Sequence, residues 1–451
     1  MRGFLAISLI LVGFTSLATR IFRFGFPLEV VFDEVHYGKY IAAYFNSSFF
    51  FDVHPPLIKT LLFWWSKLLG LSGHPYLWNA IGDPLPPGYI LVRILPLVIG
   101  TCLPIIVYLI LKKIGLSSTA SLSVGLILSF ENSLIIVSRY ILPETFILFF
   151  GFSSILFYLY YYEKKSKIFL IISAVLSAMA VSSKWTGLSF PFLILFLHYL
   201  NLIKDGANGA GQFFKTFFLI TKKIFRFFSF YIITIIFVYL LIFLIHFSLL
   251  PNTGTGYAYF SPSFRNHSVM AKTYELNKAM FNYNTGFNQD HNYSSKWISW
   301  PLMHRPICYW KGGESSIYLF GNLFVYWAGF AAIIALAINF LVKLASRKKH
   351  KIAMIDSACL FILVGFTANF LPFAFIDRVM FIYHYQVALV FSAMALALLI
   401  DRIFYGKIRL IILVLTVVMS ATSYIYFSPL IYGTKITEER MESLMWFKSW
   451  R

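Results

Sequence analysis

The stretch FDEVHYGKYIAAYFNSSFFFDVHPPLIK, residues 32–59, sets two adjacent carboxylates, Asp33 and Glu34, just beyond an apolar N-terminal run. A carboxylate can act as a general base toward a hydroxyl while arginine and lysine hold a phosphate or pyrophosphate leaving group. That chemistry needs both signs of charge. The cations on offer are Arg20, Arg23, Arg93, Arg139, Lys184 and Arg378, with Glu131 and Glu144 as further acids. Adjacent side chains point in different directions, so the pair is expected to divide its work, Asp33 reacting and Glu34 orienting. A helix cap or an arginine's partner is the competing use of Asp33. His54 precedes Pro55 and Pro56, which fix a local turn. Its imidazole either contacts a substrate or stiffens the entry to a following helix. No HxxxH or HExxH spacing accompanies it, so neither a metal nor another cofactor is expected.

The elements that must position these residues are membrane helices. Of the 451 residues 59% are hydrophobic, 20% aromatic and only 12% charged, with a mean hydropathy of +0.75. Such a chain has lipid for most of its solvent. Its formal charge of +20 does not point to nucleic acid, because polytopic proteins concentrate Lys and Arg in cytoplasmic connections. Cys102, Cys308 and Cys359 are scattered, at spacings that suit neither a metal nor a disulfide framework.

Apolar runs of spanning length fall near 4–22, 89–111, 118–137, 141–162, 168–183, 186–203, 227–250, 317–342, 353–375, 379–400 and 409–427. That makes about eleven helices. Lys112 and Lys113, Lys164 to Lys167, Lys204 to Arg226, Arg347 to Lys351 and Arg402 to Arg409 fall in alternate connections. The positive-inside rule makes those connections cytoplasmic and puts the N-terminus inside. Segments 23–88 and 251–316 then lie outside, together with Asp33 and the charged set. Residues 1–22 read as a retained signal anchor, since Arg20 and Arg23 follow the loosely signal-like Ser16-Leu17-Ala18. Within the first outer segment, LIKTLLFWWSKLLGL at 57–71 is too short and charged to span. It reads as an interfacial amphipathic helix, with Lys59 and Lys67 on the polar face and Trp64 and Trp65 at head-group depth. The second outer segment is crowded with Tyr, Asn, Trp and His, which suits sugars and peptides as well as membrane anchoring.

Seven ordered segments resemble the protein O-mannosyltransferase family: FDEVHYGKY at 32–40, FFFDVHPPLIK at 49–59, ENSLIIVSRYILPE at 131–144, SSKWTG at 182–187, SSKWISWPLMHRPICYW at 294–310, GN at 321–322 and FIYHYQVAL at 381–389. The resemblance implies an all-α polytopic GT-C fold with about eleven spans and an outer active site. It also implies inverting transfer of mannose from a polyprenyl-phosphate-mannose lipid to Ser or Thr hydroxyls of exported polypeptides. By position, Asp33 and Glu34 fall on the family's acidic motif, with Asp33 as base. Arg20 and Arg93 resemble its important arginines, and Arg139, Lys184, His54 and Glu131 lie in its other motifs. Among these, Arg139, Lys184 or Arg93 would bind the lipid phosphate. Ile58 and Glu144 stand where the family commonly has Gly and Asp.

The loop 251–316 has no room for the soluble β-trefoil domain of eukaryotic members. The chain therefore resembles the short prokaryotic form, in a plasma membrane rather than the endoplasmic reticulum. An obligatory heterodimer of the eukaryotic kind does not carry over, and an oligomer is left open. The expected organisation is a catalytic membrane module at 1–250, the outer loop 251–316, and a four-helix module with an outer tail at 317–451. A related transferase that decorates a glycolipid is the nearest rival and a membrane transporter a remote one, for no repeated halves are visible.

Overall fold

The apolar runs fold into helices in the computed structural model, which describes residues 2–72, 78–206, 213–286, 291–345 and 356–451. In chain order the helices are α1 (Arg2–Ile21), α2 (Glu34–Phe45), α3 (Leu57–Leu68), α4 (Ile94–Lys113), α5 (Ser118–Ser129), α6 (Asn132–Val137), α7 (Glu144–Lys164), α8 (Lys167–Ser183), α9 (Ser189–Gly206), α10 (Phe213–Leu249) and α11 (Val269–Gly286). A hairpin of β1 (Ile307–Gly312) and β2 (Ser315–Leu319) precedes α12 (Leu323–Ala345), α13 (Ser357–Ala368), α14 (Gln386–Ile403), α15 (Gly406–Tyr432) and α16 (Glu438–Leu444). The basic cluster Arg347 to Lys351 and part of the 204–226 cluster lie outside the described residues.

Among the described residues, nine helices are long and apolar enough to cross a membrane, and two shorter apolar ones, at 118–129 and 167–183, occupy the places of the expected third and fifth spans. The third is broken rather than continuous. Its α5 ends at Ser129, and Glu131 starts α6 afresh by accepting from the Leu134 amide at 2.7 Å. That carboxylate satisfies a helix-start donor which an unbroken helix would have bonded internally. The most enclosed spans are those of α7 and α14, and the least enclosed those of α10 and α15. α7 packs chiefly on α8 and α4, and α14 on α12, α13 and α5. One hydrophobic core runs through all of them, from Val30 to Trp450.

Two sequence expectations change in the connections. The segment before α12 is a two-stranded antiparallel hairpin with a bulge between Cys308 and Trp310, so residues 317–319 are strand and not the start of a span. In α3, Lys67 remains on the outside, but Lys59 is only 2% exposed and turns inward to Asp52 and to the His54 carbonyl at 2.7 Å. A carboxylate seven residues upstream draws the ammonium off the polar face, and its stem packs in the core as lysine stems can.

Candidate active site

Asp33 owes its position to the residues on either side of it. Phe32 has φ +46°, unusual for a side chain of its size. Its amide donates to the Tyr309 carbonyl at 3.1 Å, and its ring stacks on Tyr309 at 4.1 Å. The hairpin thus fixes the turn that delivers Asp33 to the start of α2. The preceding strand-like stretch is tied to the Pro-rich segment: Val30 donates to Asp83 at 2.8 Å, and Gly82 and Leu85 donate back to Val30 and Leu28. Further along α2, Gly38 leaves no space for a side chain, since a Cβ would lie 1.9 Å from the Trp78 ring.

The two carboxylates separate sharply. Glu34 is fully buried, and its oxygens receive four hydrogen bonds: Arg93 Nε at 2.9 Å, Arg93 Nη2 at 2.7 Å, and the amides of Val31 and Ile141 at 2.9 Å. Asp33 is half-buried and makes no capping hydrogen bond with its side chain. Burial, reinforced by the negative charge of Asp52 and opposed by Lys184, pushes its pKa up to about 6. A carboxylate whose lone pairs are not spent on a helix cap can accept a proton.

Arg93 and Arg139 beside this pair are held by protein carbonyls and a carboxylate, whereas Arg20 bonds only through Nη1 and leaves Nε and Nη2 without a partner among the described residues. Besides Glu34, Arg93 donates to the carbonyls of Pro27 at 2.8 Å, Glu29 at 2.7 Å and Gly25 at 3.4 Å. Arg139 gathers the carbonyls of Arg20, Phe22 and Arg23 at 2.5–2.8 Å and stands 4.9 Å over the Tyr432 ring. It therefore closes the C-terminal end of α1, where helix carbonyls lack internal partners. Arg20 is fully buried and reaches the Ser16 hydroxyl at 2.9 Å. Glu131 accepts from the Asn322 amide at 2.9 Å and from Ser133 at 2.8 Å, tying α6 to the start of α12.

A different set faces open space. A cleft of about 340 Å³ is lined by His54, Lys184, Trp185, Thr186, Asn284 and Arg378, with Phe281 and Phe375 exposed at its rim. Lys184 follows α8 in a turn held tight by Gly187, where a Cβ would lie 2.3 Å from the Ala180 carbonyl. Its ammonium is 3.7 Å from Glu144, too far for a hydrogen bond, and 5.0 Å over the Tyr383 ring. Burial holds Lys184 below its ordinary pKa, with Glu144 opposing. Burial, with Lys184, Lys59 and Arg378 nearby, also drops His54 well below the usual histidine range, so its imidazole is neutral. Arg378 donates to the Asn284 side chain and makes no ion pair among the described residues. Behind the cleft a recess of about 30 Å³ lies between Glu144, Lys184, Asn369, His384 and Gln386. There His384 Nε2 and both polar atoms of the Gln386 amide lack partners among the described residues.

Of the residues expected from sequence, the fold brings Asp33, Lys184 and His54 into one electrostatic neighbourhood with Asp52, Glu144 and Arg378. It sets Glu34 and Arg93 beside them as a closed pair, and draws Arg20, Arg139 and Glu131 into the packing between helices. Sequence reasoning overlooked Tyr309, Asn284, His384 and Gln386. The HYQ of FIYHYQVAL carried a signal for the last two, because polar residues opening an apolar span are costly without a use. Among the described residues no group of three or more His, Cys, Asp or Glu is arranged to hold a metal ion. The arrangement suits an anion with a reactive centre beside it: cations and a neutral imidazole line the cleft, and the base stands within their field.

A sequence profile described as dolichyl-phosphate-mannose-protein mannosyltransferase matches residues 10–251, and one described as the C-terminal four TMM region of protein-O-mannosyltransferase matches residues 269–450. Protein O-mannosyl-transferase 1 of Danio rerio is 33% identical over 262 residues, 55% of this chain and 35% of that protein. Dolichyl-phosphate-mannose–protein mannosyltransferase 1 of Saccharomyces cerevisiae is 31% identical over 261 residues, 54% of this chain and 30% of that protein. The matches span about a third of the length of these relatives. The fold superposes on a chain of the S. cerevisiae protein O-mannosyltransferase Pmt1–Pmt2 complex bound to the sugar donor with a TM-score of 0.89, covering 99% of this chain and 92% of that one at 20% identity. The oligosaccharyltransferase of Archaeoglobus fulgidus in the apo form follows at a TM-score of 0.53 and 12% identity, covering 98% of this chain and 57% of that one. With more than half of its length matched by the family's profile and its helices arranged in the GT-C fold, the chain belongs to the dolichyl-phosphate-mannose–protein mannosyltransferase family.

Proposed function

We propose that the chain transfers mannose from a polyprenyl-phosphate-mannose lipid to Ser or Thr hydroxyls of exported polypeptides, with inversion at the anomeric carbon. The observation that carries this reading is the unequal pair, Asp33 without a side-chain cap bond among the described residues and in the field of Lys184 from the cation-lined cleft, and Glu34 locked to Arg93. Asp33 takes the proton of the acceptor hydroxyl as its oxygen bonds to the anomeric carbon. The bond from that carbon to the phosphate oxygen breaks, and its electrons leave with the phosphate, now a monoester carrying one more negative charge. Lys184 and Arg378 meet that charge as it develops, which is where stabilisation accelerates a reaction. Glu34 and Arg93 act as positioning residues: they tie the turn at 25–31 to Ile141, and so hold Asp33 in place.

The site opens away from the cytoplasm in this reading, in the plasma membrane of a prokaryote. Support comes from the ends of α7, which begins at Glu144 in the site and finishes at Lys164. Lys112 and Lys113 close α4, whose N-terminal approach holds Arg93. Basic clusters thus gather at the bundle end opposite the site, as the positive-inside rule places cytoplasmic ends. Incubating membranes that carry the chain with labelled polyprenyl-phosphate mannose and a Ser/Thr-rich peptide tests the reaction. The expected product is an α-linked mannosyl peptide. Label entering only glycolipid would overturn the peptide acceptor, and unchanged donor would overturn the transfer.

A further inference from the structure

α11 carries two faces of opposite character. Phe281, Asn284 and Thr285 line the cationic cleft. Ala279, Asn282, Tyr283 and Gly286, at the i, i+3, i+4, i+7 spacing of one helical stripe, line a separate groove of about 430 Å³ that Phe51 and Tyr259 complete. Among the described residues no charged side chain lines it. The rings of Tyr259 and Tyr283 meet Phe51 at 4.5 Å and 6.0 Å, with planes inclined by 30° and 65°, so the three form a corner and not a flat stack. Tyr259 is 58% exposed and Tyr283 39%. The Asn282 amide joins the two phenol groups in putting polar atoms beside ring faces.

This corner is woven into the loop that leads to the site. Gly256 donates to the Phe49 carbonyl at 3.0 Å, and a Cβ on it would lie 2.5 Å from the Phe50 carbonyl carbon. Asn284 Nδ2 donates to the Val53 carbonyl at 2.8 Å. Phe51 is followed by Asp52, whose charge reaches Asp33, and then by His54 in the cleft. The three chain steps from Phe51 to His54 span at most about 11 Å, a distance that an extended polypeptide covers in about three residues. A ligand for the corner is neutral, with an apolar face for the rings and hydroxyls for the amide and phenols. A hexopyranose has both, its C–H bonds on one face and its hydroxyls at the rim. A hydrocarbon chain leaves the polar groups unanswered, and an anion finds no cation.

We propose that this groove binds a mannose already carried by the acceptor polypeptide, about three residues from the Ser or Thr being modified, so that one transfer favours the next one nearby. This rests on the chain being a protein mannosyltransferase. Without donor, the chain in nanodiscs should give a saturation-transfer signal on methyl α-mannoside that Tyr259→Ala and Tyr283→Ala remove. With donor, a peptide carrying α-mannosyl-threonine three residues from a free threonine should show a KM about tenfold below that of the unmodified peptide. Both variants, and the milder Asn282→Ala, should erase that advantage while the KM for the unmodified peptide stays unchanged, which also reports that they fold. Equal use of the two peptides by the unaltered chain, or an advantage that survives all three changes, would overturn the proposal. So would an equal advantage for a peptide with leucine in place of the mannosyl-threonine, since the groove would then be an apolar side-chain pocket. Mannoside binding that depends on Tyr259, without transfer to any peptide, would leave the sugar site standing and remove the transfer reading instead.

Discussion

The Glu34–Arg93 pair and the Lys184 cleft are neighbouring regions rich in charge, yet they spend it differently. In the first, each carboxylate oxygen and each guanidinium nitrogen has a protein partner at 3.4 Å or less. In the second, Lys184 stands off from Glu144, Arg378 has only an amide, and His384 Nε2 has nothing among the described residues. A buried polar group left unpaired costs about 1–3 kcal/mol. The first region is saturated in the way a brace would be, and the second leaves polar groups that a ligand could complete. Residue type does not separate the two regions; arginine and glutamate occur in both.

Breaking the comparison at its reactive member should have the largest effect. Asp33→Asn is expected to lower turnover by about 10²–10⁴-fold while the melting temperature in detergent stays unchanged. A folded, active variant would take the base role from Asp33. Arg93→Met should do the reverse and act on stability, by about 3–5 kcal/mol, because it leaves the Glu34 carboxylate buried without its cation. Unfolding titrations of Arg93→Met, Glu34→Gln and the double variant would measure the coupling. An Arg93 variant that loses only donor affinity would show the brace to be a substrate site. Arg378→Gln belongs to the open region, and its donor KM should rise about tenfold with little change in unfolding, a loss on the order of one charge-assisted hydrogen bond. If thermal stability falls instead, Arg378 is part of the packing.

The smallest effect concerns pH. Asp33 must be ionised to accept a proton, so activity should fall as pH drops through about 6. Asp52 raises the Asp33 pKa by repelling its charge. Asp52→Asn should therefore move the acid limb of the kcat/KM profile to lower pH, and Lys184→Met, which removes an opposing cation, to higher pH. A limb unmoved by either change would mean that another group titrates.

The sequence alone determined the solvent and the element type, and it singled out the acidic pair Asp33 and Glu34. Apolar runs of span length leave a chain little choice but helices, because lipid offers backbone groups no hydrogen bonds. Carboxylates next to such runs are expensive enough to mark a site. The split between Asp33 and Glu34 was also legible, since neighbouring side chains cannot point the same way. The tertiary structure alone decided which cations are free. Arg93, Arg139, Lys184 and Arg378 look equivalent as letters, but two of them close on carbonyls and a carboxylate supplied by segments 59–119 residues away. Likewise, Lys59 left its amphipathic face for Asp52, and the expected third span broke at Glu131. In each case a distant partner set the role of a charge, because a charge in a low-dielectric interior takes its meaning from the groups that surround it.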